Sequence, residues 1–192
     1  MNKVLFYNPY LDTLGGGERY TFTLAEHLLK NGWNVDIANG SEKLIGKFNE
    51  RFKIDLHKAN FVRIPESLLR RLQFERKYDL IFWLSDGSIP FLFGKNNILH
   101  FQVPFHDING KSLPNKIKLS RINHVVCNSG FTKRFIDKEF GINSKVIFPP
   151  IDVNSFQPGK KENHILYVGR FSQLLQAKRQ EVLINVFKKM ID

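Results

Sequence analysis

Val4-Leu5-Phe6-Tyr7-Asn8, then Gly15-Gly16-Gly17-Glu18-Arg19, then a helical run to Lys30, then Asn34-Val35-Asp36-Ile37-Ala38: this stretch decides the fold. An apolar strand leads into a glycine turn. In the run from about Glu18 to Lys30, Phe22, Ala25, Leu28 and Leu29 recur at helical period, and Gly32 follows as a stop. The second strand completes a β-α-β unit, the crossover that builds a parallel sheet.

The same alternation continues downstream. Strands are predicted at Leu80 to Leu84, Ile98 to Gln102, His124 to Cys127 and Lys145 to Phe148. Between the last two, Ser129 is placed to cap a helix whose Phe131, Phe135 and Ile136 face inward and which ends at Gly141. The fold class is therefore α/β, a Rossmann-like parallel sheet with helices on both faces, over residues 1–150. Pro149-Pro150 ends the last strand, and the polar, turn-rich residues 151–163 read as an interdomain linker. Residues 164–192 then hold a predicted strand, Ile165 to Val168, and a helix striped by Val182, Leu183, Val186, Phe187 and Met190. We read them as the first strand and helix of a second Rossmann-like domain, left incomplete.

The 192 residues suit one domain with a sizeable core plus a piece of another. Hydrophobic residues at 42%, including 18 Phe, argue against disorder, and no apolar run approaches the roughly 18 residues of a membrane span. No targeting signal is visible at the start. The one cysteine, Cys127, excludes an internal disulfide and a Cys-rich metal site, which fits a reducing compartment and a cytoplasmic chain. It falls within an apolar strand, so an inert core thiol is expected. The formal charge is +11, from 29 Lys and Arg against 18 Asp and Glu, which favours anionic partners.

Several segments carry candidate chemistry, each with an ordinary alternative. The Gly15-Gly16-Gly17-Glu18-Arg19 turn can bring backbone N–H groups to an anion or a sugar hydroxyl, but it lacks G-x-G-x-x-G spacing and also reads as a plain tight turn. Arg170 and Lys178 flank the second strand-to-helix loop and could clamp a diphosphate, or be two solvated side chains. His100 ends a strand at the sheet's ligand edge, where it could orient a substrate hydroxyl or be a satisfied, semi-buried residue. His106-Asp107 lacks metal or triad spacing, and Asp86-Gly87-Ser88 reads as a turn. Arg51 to Lys77 carries eight basic and three acidic residues, a net of 8 − 3 = +5. Such a stretch can lie on an anionic membrane, or form a surface helix with its leucines packed and its arginines in water. Nucleic acid is not expected, because the Phe residues lie in apolar strands and stripes rather than among Lys and Arg.

Taken together, Gly15-Gly16-Gly17-Glu18, His100, Val125-Val126-Cys127-Asn128-Ser129, Val146-Ile147-Phe148-Pro149-Pro150-Ile151-Asp152 with Phe156 and Pro158, and Tyr167-Val168-Gly169-Arg170-Phe171 with Lys178 resemble the GT-B glycosyltransferases of family 4. The resemblance runs in order along the whole chain. It implies two Rossmann-like domains facing across a cleft, the acceptor held mainly by the first and the nucleotide-sugar mainly by the second, with no metal or other cofactor. It implies retaining transfer of a sugar from a nucleoside diphosphate to the hydroxyl of a glycan or lipid-linked acceptor. Gly16, Gly17 and Glu18 would lie at the substrates, His100 near the sugar and acceptor as the catalytic candidate, and Arg170 with Lys178 on the diphosphate. The loop 172–177 is longer than the usual family turn, and the family's paired-glutamate motif has no counterpart here. The chain alone is therefore expected to be a truncated, inactive form, peripheral contact with an anionic membrane being compatible with its basic stretch. The alternative is a non-catalytic module that binds an anionic lipid, a glycan or a partner protein.

Overall fold

The computed structural model describes residues 1–11, 14–169 and 179–191. Two compact units divide the chain, Met1–Ile151 and Asp152–Asp192. The first is built on seven strands: β1 (Lys3–Tyr7), β2 (Asn34–Ala38), β3 (Asn60–Val62), β4 (Leu80–Leu84), β5 (Asn96–Phe101), β6 (His124–Cys127) and β7 (Lys145–Val146). Every pairing is parallel, in the order β3-β2-β1-β4-β5-β6-β7. Parallel neighbours need crossovers, and helices α1 (Gly16–Lys30), α2 (Lys43–Phe52), α3 (Leu68–Glu75), α4 (Leu113–Leu119) and α5 (Gly130–Phe140) lie between the strands in sequence. The fold is α/β and Rossmann-like.

Alternation along the strands splits the core in two. Val4, Phe6, Val35, Ile37 and Phe82 pack with Phe22 and Ala25 of α1 and Leu44 and Phe48 of α2. Their strand neighbours Leu5, Ile81, Leu99, Phe101 and Cys127 pack with Ile136 and Phe140 of α5. Period-two side chains serving opposite layers explain why central strands such as Leu80-Ile81-Phe82-Trp83-Leu84 are apolar throughout rather than alternating. Residues such as Asp36 are tolerated in this core because they are satisfied. Its carboxylate takes Lys3 Nζ at 2.8 Å, the Tyr78 hydroxyl at 2.6 Å and Asn60 Nδ2 at 3.1 Å.

The structure departs from the sequence reading at several points. β7 ends at Val146, not Phe148, and β5 covers Asn96–Phe101 rather than Ile98 to Gln102. Ser129 does cap α5, accepting the Thr132 N–H at 3.1 Å, and Gly141 ends it at φ 68°. Phe131, expected inside, is 54% exposed, because the buried stripe of α5 runs through Thr132, Ile136 and Phe140. Helices α2 and α4 and strand β3 were not anticipated. β3 is a three-residue strand on the sheet's edge, and α4 buries no residue, so neither carries an apolar pattern of useful length.

In the second unit, residues 165–168 are not a strand, which corrects the expected opening strand. A strand is held by its ladder, and no other strand exists among the described residues of this unit to pair with it. Ile165, Leu166 and Val168 are exposed. Helix α6 (Gln180–Ile191) does form, and its Val182, Val186, Phe187 and Met190 stay largely exposed.

Candidate functional site

The strand order reverses between β1 and β4, since β2 and β3 follow on one side of β1 while β4, β5 and β6 continue on the other. Chains leaving the carboxyl ends there turn to opposite faces, which opens a crevice at that edge. Tyr7 at the end of β1 is level with Trp83 of β4, and the two rings stack at 3.6 Å.

Polar bookkeeping singles out the same edge. Among the described residues, five buried side-chain atoms lack a hydrogen-bond partner: Asn8 Nδ2, Arg71 Nη2, Asn97 Oδ1 and both ring nitrogens of His100. Asn8 directly follows β1, His100 is next to last in β5, and the Arg71 guanidinium lies over the Trp83 ring at 4.9 Å. Only Asn97, near the start of β5, lies away from the carboxyl edge. Buried polar groups without partners cost stability, so their gathering at one edge marks a place where the fold does not optimise packing alone.

His100 is wholly buried, with the Tyr20 ring stacked on it at 4.4 Å and 17° and Phe82 tilted against it at 5.4 Å. Burial pushes its pKa down to about 4, the Val126 backbone opposing this in part, so the ring is neutral at physiological pH. The sequence placed it at the edge. The structure sets it just below, in the layer under α1. Tyr20, whose hydroxyl donates to the Ile147 carbonyl at 3.0 Å, is held as a donor because burial raises its pKa to about 12.

Gly15 caps α1, and Gly16 and Gly17 form its first turn. A side chain at Gly16 would meet open space, whereas one at Gly17 would collide with the Gln102 amide, its Cβ 2.3 Å from Oε1. That amide donates to the Gly17 carbonyl at 3.2 Å. A side chain at position 17 therefore fits only if the Gln102 amide swings aside, whereas at 16 nothing stands in the way. Glu18 turns back to the helix start, where its carboxylate accepts the Gly15 N–H at 2.6 Å. Its first role is thus a cap. On the far side, Asn128 Nδ2 donates to the Gln102 carbonyl at 2.8 Å and its Oδ1 accepts from Thr132 at 2.9 Å. Gln102 so links the start of α1, the end of β5 and the turn into α5.

The structure brings Gly16, Gly17, Glu18 and His100 to one region, joined through Tyr20 and Gln102. Arg170 and Lys178 lie outside the described residues. Tyr20, Gln102 and Asn128 escaped the sequence reading. Tyr20 sits one turn into a helix read for its aliphatic stripe, and the only signal for Gln102 was its place as the last residue of the predicted strand Ile98 to Gln102. Asp86 forms a closed turn: its carboxylate accepts from the Ser88 N–H at 3.1 Å and hydroxyl at 2.7 Å, and those bonds lower its pKa despite partial burial. His106 is exposed and meets Phe135 edge-on. No described helix is long and apolar enough to cross a membrane.

A search of the curated proteins finds no match. The family model for Glycosyltransferase Family 4 matches residues 14–155, from the glycine turn of α1 through β7 and beyond. That span takes in most of the chain and includes Gly16, Gly17, Glu18, Tyr20, His100, Gln102 and Asn128, while Tyr7 and Asn8 precede it. With a match over most of its length and a parallel Rossmann-like sheet, the chain belongs to the family 4 glycosyltransferases.

Proposed function

We propose that this chain supplies the acceptor-side domain of a retaining transferase that moves a sugar from a nucleoside diphosphate to an acceptor hydroxyl. The family match over residues 14–155 carries this reading. In such a transfer the bond from the anomeric carbon to the diphosphate oxygen breaks. The acceptor oxygen takes that carbon on the same face, and its proton leaves with the diphosphate. Gly16 and Gly17 would offer backbone N–H groups to the donor phosphates and sugar at a helix start, where the dipole favours negative charge. Arg170 and Lys178 would add charge-assisted bonds to the diphosphate, in place of a metal. His100 would face the sugar once the groups over it part, and as a neutral imidazole it has one nitrogen to donate and one to accept.

Nothing in the chain corresponds to the paired glutamates that the resemblance implies for the sugar and ribose. Acceptor binding without donor turnover is the expected behaviour of these residues alone. Two measurements test the reading: nucleoside diphosphate release from a panel of nucleotide-sugars, and binding to a glycan and glycolipid array. We expect no release, and binding to at least one acceptor on the array. Release by the chain alone overturns the inactivity, and an array without any bound acceptor overturns the acceptor role.

A further inference from the structure

Helix α3 packs on the protein in an unusual way. Its buried side is made by Leu72, Phe74 and the carboxylate of Glu75, which accepts from Arg71 Nε at 2.5 Å and from the Phe93 N–H at 2.8 Å. The first two leucines take no part in this. Leu68 is 62% and Leu69 74% exposed, side by side at the helix start that Ser67 caps. Leucines on a surface helix normally supply its packing, so this apolar pair is unspent.

Charge surrounds it. Arg63, Arg70, Arg76 and Lys77 are all exposed, and Arg63 and Arg70 line a groove of about 430 Å³ with Ile64, Pro65, Glu66 and Ser67. The one acid there, Glu66, pairs with Arg63 at 3.3 Å, and both are so exposed that the pair holds weakly. The turn 63–67 follows β3 and so lies at the sheet's carboxyl edge, the edge that carries the candidate site.

We infer that the β3–α3 turn and the start of α3 form a docking surface for an anionic lipid bilayer. Leu68 and Leu69 enter the boundary between headgroups and acyl chains, while Arg63 and Arg70 hold lipid phosphates. Adjacent exposed leucines flanked by arginines match both layers of such a surface, and the excess positive charge of the chain supplies the complementarity. Arg71 is excluded from this surface because its guanidinium serves Glu75 and Trp83. The inference is independent of sugar transfer and stands or falls separately from it.

Co-sedimentation of the chain with vesicles of equal parts phosphatidylcholine and phosphatidylglycerol, against pure phosphatidylcholine vesicles, tests it. The chain should sediment with the anionic vesicles only. The double variants Leu68→Ser/Leu69→Ser and Arg63→Glu/Arg70→Glu should each weaken binding by about tenfold or more. Lys138→Glu/Lys145→Glu, with the same change of charge on exposed residues near the opposite end of the sheet, should stay within about twofold of the parent. Thermal melts confirm that all variants are folded. Three results each overturn the proposal: no binding to anionic vesicles, unchanged binding in the leucine variant, or equal loss in the distant reversal. A leucine-dependent dimer in sedimentation velocity without vesicle binding would assign the surface to a second copy instead.

Discussion

Tyr20 lies flat on His100, ring centroids 4.4 Å apart and planes 17° from parallel, while its hydroxyl reaches the Ile147 carbonyl. One aromatic side chain of α1 thus seals the imidazole and ties the helix to the chain leaving β7. The seal makes His100 neutral and leaves both its nitrogens unsatisfied. A residue chosen for stability would not look like this.

That gives a pH prediction. The His100 pKa stands at about 4 when folded, against the ordinary 6.5, so between these values the unfolded chain binds a proton that the folded chain does not. The stability held above the unfolded value is lost as pH falls towards the folded one, by at most about 3 kcal/mol. Urea titrations at pH 7.5 and pH 5 should show a larger drop for the parent than for His100→Leu. Equal drops would mean that His100 does not titrate between those states. At pH 7.5 the His100→Leu variant should be no less stable than the parent, because it removes two unpartnered nitrogens from the core.

Gly17 and Gln102 should be strongly coupled. Gly17→Ala pushes the Gln102 amide away and breaks its bond to the Gly17 carbonyl, at a cost of about 1 kcal/mol. With Gln102→Ala in the same chain, alanine's higher helix propensity should make the change neutral or favourable. Gly16→Ala, facing open space, should stabilise in either background. A denaturation double-mutant cycle with additive effects would sink the coupling.

Neighbouring arginines should behave differently. Arg71→Glu leaves the buried Glu75 carboxylate facing a like charge and should cost about 3–5 kcal/mol. Arg70→Glu, on an exposed side chain, should change stability by no more than about 0.5 kcal/mol. Melting curves of the two single variants decide the matter, and similar melting points would place Arg71 on the surface.

Cys127 should be unreactive while the chain is folded. It is fully buried, its thiol donates to Ser144 Oγ at 3.3 Å, and burial raises its pKa. An aromatic disulfide reagent should label it only in denaturant. Prompt labelling of the native chain would show that the β6 end opens readily.

Legibility followed pattern length. Strands β4 and β6 carry uninterrupted apolar runs and β2 one broken only by Asp36, and the expected limits Asn34–Ala38, Leu80–Leu84 and His124–Cys127 coincide with those observed. β3 and α4 lack such runs and passed unseen. Phe131 was misplaced because Phe131, Phe135 and Ile136 make one near-helical stripe while Thr132, Ile136 and Phe140 make another, and only the neighbours of α5 choose between them. Arg70 and Arg71 read alike as solvated charges, although a buried glutamate one turn further on claims the second.

Local chemistry determined a good deal without help from the fold: a parallel α/β sheet, the glycine turn into α1, the Ser129 cap, and a set of motifs in family order. These rest on interactions between near neighbours, so residue type and spacing suffice to express them. Which side chains meet was decided only by tertiary structure. Gly17 and Gln102 are far apart in sequence, as are Tyr20 and His100. Parallel pairing of β5 beside β4 and of β4 beside β1, with α1 laid across one face, brings them into contact. Burial by those distant partners, rather than anything next to it in the chain, makes His100 a neutral, unsatisfied group beneath the crevice.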